Sequence, residues 1–174
     1  MTMILSLNRF RSPVERVERT FEAAAFDLGD GDFRVVAPVE LAADIHKDGR
    51  KFRLAGTVRT TLETPCGRCL EAFTIPVDAA FDLMFLPHSD ASDDGEKQLD
   101  DDDVGVSFYT DDQINLGDVM SEQFYLAMPM KPLCRVDCKG LCAICGTNRN
   151  VTACECQQEW IDPRLEALRN LRDR

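Results

Sequence analysis

The 174 residues suit one domain, and a hydrophobic content of 44% supplies a core without any stretch near the ~20 apolar residues of a membrane span. A formal net charge of −11 excludes a general electrostatic binder of nucleic acid. Residues 1–10 have no charged start leading into an apolar run, so no secretory signal is expected, and eight cysteines in a reducing cytoplasm point to metal rather than to disulfides.

Ser12-Pro13-Val14-Glu15 has the form of a helix start, with Ser12 as cap, Pro13 in the first turn and Glu15 reaching back. Val14, Val17 and Phe21 follow at spacings of three and four, which predicts a short helix from Pro13 to about Thr20. Residues 23–32 fit more than one state and end in a Gly/Asp turn. Three alternating segments then read as half-buried strands. Val35, Ala37, Val39, Leu41, Ala43 and Ile45 share one face; Phe52, Leu54, Val58 and Leu62 share the next, opposite Lys51, Arg53 and Arg59. Phe73, Ile75, Val77, Ala79, Phe81, Leu83 and Phe85 form the third. Asp48-Gly49 favours a tight reversal between the first two. Pro65-Cys66-Gly67-Arg68-Cys69 makes a cysteine knuckle between the second and third. Pro38 and Pro76 cannot donate to a ladder and belong at edges or bulges.

Residues 88–103 are polar and acidic without periodicity, which predicts a mobile loop. Residues 90–103 alone carry −7, leaving −4 on the remainder. Val104, Val106 and Phe108 suggest a fourth strand. Asn115-Leu116-Gly117-Asp118 opens a helix whose apolar face is Leu116, Met120, Phe124 and Ala127, ended by Pro129 and Pro132. Asp162-Pro163 caps a last helix with Leu165, Leu168 and Leu171 on one side.

The cysteines carry the chemistry. Cys66-x2-Cys69 and Cys142-x2-Cys145 have the spacing with which a tight turn supplies two corners of a zinc tetrahedron. Cys134-x3-Cys138 is looser and Cys154-x-Cys156 less usual, but loops can present both. The partition with least loop entropy is Cys142, Cys145, Cys154 and Cys156 as a local site, and Cys66, Cys69, Cys134 and Cys138 as a clip between sheet and tail. Exchanging pairs between the sites satisfies coordination equally. Charged residues interleave the cysteines, against a reading as buried small hydrophobes. An Fe–S cluster uses the same ligands. A redox dithiol belongs on a strand-to-helix turn, whereas Cys66 and Cys69 fall between two strands. Four thiolates leave no open coordination position, so the metals read as structural, two zinc ions in all, bringing the net charge to about −15. His46, His88, Ser107 and Ser121 have no evident catalytic partner, and the chain reads as a non-enzyme.

Cys66-Gly-Arg-Cys69-Leu70 with Phe73, then Leu126-Ala-Met-Pro129, Pro132-Leu-Cys134, Cys138-Lys-Gly-Leu-Cys142-Ala-Ile-Cys145-Gly and Cys154-Glu-Cys156 together resemble the YceD family, the large ribosomal RNA subunit accumulation proteins. The resemblance spans most of the chain and is specific in the C-terminal block; Arg149 stands where the family pattern usually has leucine. It implies a bacterial or plastid-type protein, cytoplasmic here, that supports 23S ribosomal RNA through synthesis, processing or stability, and it supplies no catalytic residue.

The resulting expectation is an α+β fold: a curled antiparallel sheet packed with helices, with a cysteine-rich zinc-binding C-terminal region tied back to the sheet. One domain covers 1–174, divided into an N-terminal helix and strands (1–87), the acidic loop (88–103), a strand and helix (104–129) and the zinc region with its closing helix (130–174). The expected partner is ribosomal RNA or a pre-ribosomal particle, met through Arg68, Lys131, Arg135, Lys139 and Arg149, each a solvated surface charge by default. The alternatives are an adaptor docking on a basic protein and a sensor that releases zinc on thiol oxidation. Neither a membrane nor a small-molecule substrate is expected.

Overall fold

A computed structural model of the chain describes residues 3–26, 33–88 and 106–156. The acidic stretch, apart from its first residue, and the helix expected after Pro163 lie outside them. The centre is a meander of β4 (Val39–Asp48), β5 (Lys51–Pro65) and β6 (Ala72–Pro87), all antiparallel. The expected face buries Val39, Leu41, Ala43, Ile45, Phe52, Leu54, Val58, Leu62, Val77, Phe81 and Phe85. Its opposite face carries cross-strand ion pairs, Arg53–Asp82 at 2.5 Å and Arg59–Asp78 at 3.1 Å. Gly49 makes the reversal with φ +59°. At Gly56 a Cβ would stand 2.3 Å from the Ala42 carbonyl oxygen of β4, so the close approach of β4 and β5 requires glycine there.

The first alternating segment is broken at Pro38 into β3 (Arg34–Val35), paired with β5, and β4. Pro76 lies on β6 where, among the described residues, no strand flanks its far side. Both positions are those a residue without an N–H can occupy.

Three expectations are corrected. Residues 14–21 are strand β2 (Val14–Phe21), paired along its length with β4, not a helix. Val17 and Phe21 are four apart and share a face in either state, so the spacing could not decide; the partner strand did. Glu15 does reach back, accepting from the Arg11 and Ser12 N–H groups at 3.0 and 3.2 Å, but it closes a turn before a strand. Second, the sheet runs β2–β4–β5–β6–β7 as an open order and is not strongly curled, and β7 (Val106–Tyr109) pairs parallel to β6. In β7, Tyr109 is buried, donating to the Arg50 carbonyl at 2.9 Å, while Phe108 faces out. Third, the described residues hold one α-helix, α1 (Leu116–Ala127), beside single 3-10 turns at Leu7–Arg9 and Ala23–Ala25.

α1 starts as expected, with the Asn115 side chain accepting from the Gly117 N–H at 3.0 Å. Leu116, Val119, Met120 and Phe124 join the sheet's core, whereas Ala127 is exposed. A small ladder of β1 (Ile4–Ser6) and β8 (Gln113–Asn115) adds Leu5 and Ile114 to the same core.

Candidate metal centres

The β5–β6 hairpin sets the first cluster. Its tip is closed by the Cys66 N–H donating to Glu71 O and the Leu70 N–H donating to Cys66 O, both at 2.9 Å. Leu70 takes a left-handed φ of +61°, which tightens the turn and leaves its side chain exposed. Cys66 and Cys69 are therefore presented together, buried, beneath the incoming 132–138 segment. That segment is anchored by the Gly67 N–H on Pro132 O at 2.8 Å and by the Arg68 guanidinium on Cys138 O at 2.9 Å. Cys134 and Cys138 complete the group.

The sulfur positions are informative. Cys66 and Cys138 Sγ are 3.8 Å apart, as are Cys69 and Cys134 Sγ. This is far longer than a disulfide and equals the edge of a tetrahedron with arms of ~2.3 Å, the zinc–thiolate distance. Donors facing the sulfurs include the Cys134 N–H at 3.4 Å from Cys66 Sγ and Asn150 Nδ2 at 3.3 Å from Cys138 Sγ.

The second cluster is built within 142–156. Gly146, at φ +72°, allows its N–H to donate back to Cys142 O at 2.9 Å, and the Cys142 N–H donates to Thr147 O at 2.8 Å. This turn presents Cys142 and Cys145; the Val151 and Thr152 N–H groups on Asn148 O return the chain to Cys154 and Cys156. In both clusters the four sulfurs lie within 4.8 Å of one another, and among the described residues no other group of cysteine, histidine or carboxylate ligands gathers so closely. The sulfurs thus assemble in the partition that least loop entropy favours. Burial separates the two: Cys66, Cys69 and Cys138 are buried, while Cys145 and Cys156 are exposed.

Crowded thiols ionise unequally, and both clusters divide two and two. The Cys134 N–H is the chief influence pulling Cys66 down to about 6, and the Thr147 hydroxyl and N–H hold Cys145 at about 6. Burial and neighbouring sulfurs push Cys134 up to about 12; Cys145, together with burial, does the same for Cys156. Cys138 and Cys142 fall below the ordinary thiol value, and Cys69 and Cys154 rise above it. Cys66 and Cys145 are thus the thiols each cluster gives up most readily, and a divalent cation would displace the protons on the others.

The basic residues of the sequence reading divide. Arg68 is exposed but engaged: its guanidinium holds the 136–138 backbone, and its carbonyl accepts from the Leu141 N–H at 3.0 Å. Lys131, Arg135, Lys139 and Arg149 are exposed, with Arg135 loosely paired to Asp137 at 3.7 Å. Sequence reasoning missed Asn148 and Asn150. Asn150 accepts from the Lys139 N–H at 2.8 Å and donates to Asn148 Oδ1 at 2.9 Å, and Asn148 donates to Glu71 at 3.4 Å, so one polar chain joins the hairpin, the second cluster's loop and a sulfur of the first. The two asparagines at alternate positions between the last cysteine pairs were the available signal. His46 and His88 are exposed and belong to neither cluster.

The sequence model of the family described as large ribosomal RNA subunit accumulation protein YceD matches residues 54–172, from within β5 through all eight cysteines. The chain is 27% identical over 196 residues to the large ribosomal RNA subunit accumulation protein YCED homolog 1, chloroplastic, of Arabidopsis thaliana, covering 97% of this chain and 59% of that protein. The Zea mays protein of the same name is 27% identical over 143 residues, 69% of this chain and 49% of its own length. An uncharacterized protein of Mycobacterium leprae is 31% identical over 113 residues, 64% of this chain and 49% of its own. The chain thus spans about half to three-fifths of the lengths of these relatives. No solved structure matches.

Proposed function

The chain belongs to the YceD family, and from that premise we propose that it is a non-catalytic factor for accumulation of large-subunit ribosomal RNA whose C-terminal half is held in shape by two structural zinc ions. The observation that carries the metal reading is the 3.8 Å sulfur spacing across the buried cluster, which fits zinc's thiolate tetrahedron without rearrangement. Bound there, zinc would supply charge and geometry only, since four thiolates fill its coordination sphere. Cys66, Cys69, Cys134 and Cys138 would hold the first ion, and Cys142, Cys145, Cys154 and Cys156 the second. The first closes the tail onto the β5–β6 hairpin; the second orders the 142–156 loop.

The surface so fixed carries Lys131, Arg135, Lys139 and Arg149, and we assign RNA or pre-ribosomal contact to these four. Arg68 is reassigned to positioning the 136–138 backbone. Two measurements test this reading. Elemental analysis of protein purified without chelator is expected to give two zinc ions per chain. In cells dependent on this protein, exchanging Lys131, Arg135 and Lys139 for glutamate is expected to lower the ratio of large- to small-subunit ribosomal RNA while metal content is unchanged. An unaltered ratio would remove the contact surface, and protein without metal would remove the scaffold.

A further inference from the structure

β2 is an open edge of the sheet. It pairs with β4 on one side, and among the described residues no strand lies on the other. The bond from the Lys47 N–H to the Pro13 carbonyl, at 2.8 Å, sets the phase of that ladder. Pro13 and Lys47 continue the register that pairs Val14 with His46. Residues 15, 17, 19 and 21 therefore turn their N–H and C=O groups toward β4, and Val14, Arg16, Glu18 and Thr20 turn theirs outward. The register runs unbroken from 14 to 21, and no proline falls within it. An edge without a bulge or a proline is a template for a further strand.

The strand's own charges identify that further strand. Glu15-Arg16-Val17-Glu18-Arg19 reverses in sign about Val17. A second copy running antiparallel can join only where outward-facing residues meet outward-facing residues, which means even numbers opposite even numbers. With Val17 opposite Val17, Arg16 stands against Glu18 and Glu15 against Arg19 on both sides of the axis. Sliding the copy by two residues sets Arg16 against Arg16 or Glu18 against Glu18. A further slide sets Glu15 against Glu15 or Arg19 against Arg19. Like charges directly opposite are destabilising, so one register is selected.

The charges already in use within one copy do not compete with this. Arg16 and Glu18 pair along the strand at 2.7 Å, with side chains 65 and 66% exposed. Joining sets two such pairs head to tail, and each charge gains a second opposite neighbour. On the inner face Val17 is half-buried, and Glu15, Val17 and Arg19 line an open cleft of about 670 Å³ with Arg9 and Phe10. The chain's own N-terminal segment leaves that space unfilled beside the edge.

We infer that β2 is a homodimerisation edge: a second copy of the chain adds to it antiparallel, about a two-fold axis through Val17, and joins the two sheets into one. The interface uses no cysteine and none of Lys131, Arg135, Lys139 and Arg149, so it stands or falls apart from the metal and RNA readings.

The test is sedimentation velocity on the full chain over about 1–100 µM, at about 0.15 M salt so that repulsion between two acidic chains is screened beyond ~8 Å. A reversible monomer–dimer equilibrium is expected within that range. Arg16→Glu and Glu18→Arg, each at an exposed position, should each weaken the dimer by about tenfold or more, because each sets like charges opposite on both sides of the axis. Mixing R16E with E18R restores opposite charges at both places and should return a one-to-one heterodimer of about native strength, which misfolded variants would not form. A chain that stays monomeric throughout would overturn the proposal. So would a dimer indifferent to both reversals, two weakened variants that do not recombine, or assemblies that grow beyond the dimer instead of closing.

Discussion

The two cysteine clusters use the same ligand set for different structural work. The first joins residues far apart in sequence, with separations of 72 between Cys66 and Cys138 and 65 between Cys69 and Cys134. It is buried, and Phe73 and Leu133 pack against it. The second closes a loop confined to 142–156, with Cys145 and Cys156 in solvent. Closing a long loop removes more chain entropy than closing a short one, but the dependence is only logarithmic. The larger difference is what each closure holds: without the first, the tail leaves the hairpin and three buried cysteines lose their cover; without the second, a surface loop loses its shape.

The largest effect should therefore come from Cys138→Ser. Loss of a structural metal removes folding free energy directly, and at this chain length an unfolding midpoint lower by on the order of 10 °C is expected. Differential scanning calorimetry with zinc analysis on the same sample reads both. Cys156→Ser should lose one zinc per chain yet lower the main transition by only about 2–4 °C, because the sheet's core does not depend on that loop. If the two variants melt alike, the division into clip and loop is wrong. With a chromogenic chelator, zinc from the native chain should leave in two phases, and Cys156→Ser should lack the faster.

Asn150→Ala tests whether the clusters are independent. The Asn150 side chain donates to Cys138 of the first cluster while sitting in the loop ordered by the second. Removing an outer-shell hydrogen bond commonly weakens metal affinity ~10–100-fold. The expected result is a loss of that size at the first site alone, measured by competition with a chelator of known affinity. An equal loss at both sites would mean the asparagine supports the loop rather than the sulfur.

The meander was legible because each strand alternates against one buried face, and the knuckle because Cys66 and Cys69 fall between two such strands. The ligand partition was also reachable, since local pairs close at least entropic cost. What failed had a physical cause in each instance. Residues 14–21 present a stripe compatible with two periods, and only pairing with β4 decides it. Val106 and Phe108 alternate, but Tyr109 wins the inward position because its hydroxyl finds the Arg50 carbonyl, a contact invisible in sequence. That the Arg68 guanidinium also holds the 136–138 backbone was equally invisible in sequence. Asn148 and Asn150 take their meaning from the folded loop, since asparagines between cysteines read as turn residues until a sulfur lies in reach.

The smallest predicted effect is the pH dependence of the metal-free chain, and it bears on the same contrast. Cys66 and Cys145 are both held at about 6 against an ordinary thiol value of 9.0. A depressed value means that between pH 6 and 9 the folded state has lost a proton the unfolded state keeps. Stability from such a group is complete above pH 9 and vanishes as pH falls through about 6. Cys134 and Cys156, pushed up to about 12, act oppositely: their contribution is complete below pH 9 and lost as pH rises through about 12. The metal-free chain should accordingly gain stability from pH 6 to 9 and lose it above. With the buried cluster as the clip coupled to global unfolding, urea denaturation of the metal-free Cys66→Ser variant should lack most of the rise, and Cys145→Ser should retain it. Were the slope instead removed by Cys145→Ser, the exposed loop would be the one coupled to the core, and the assignment of clip and loop would have to be exchanged.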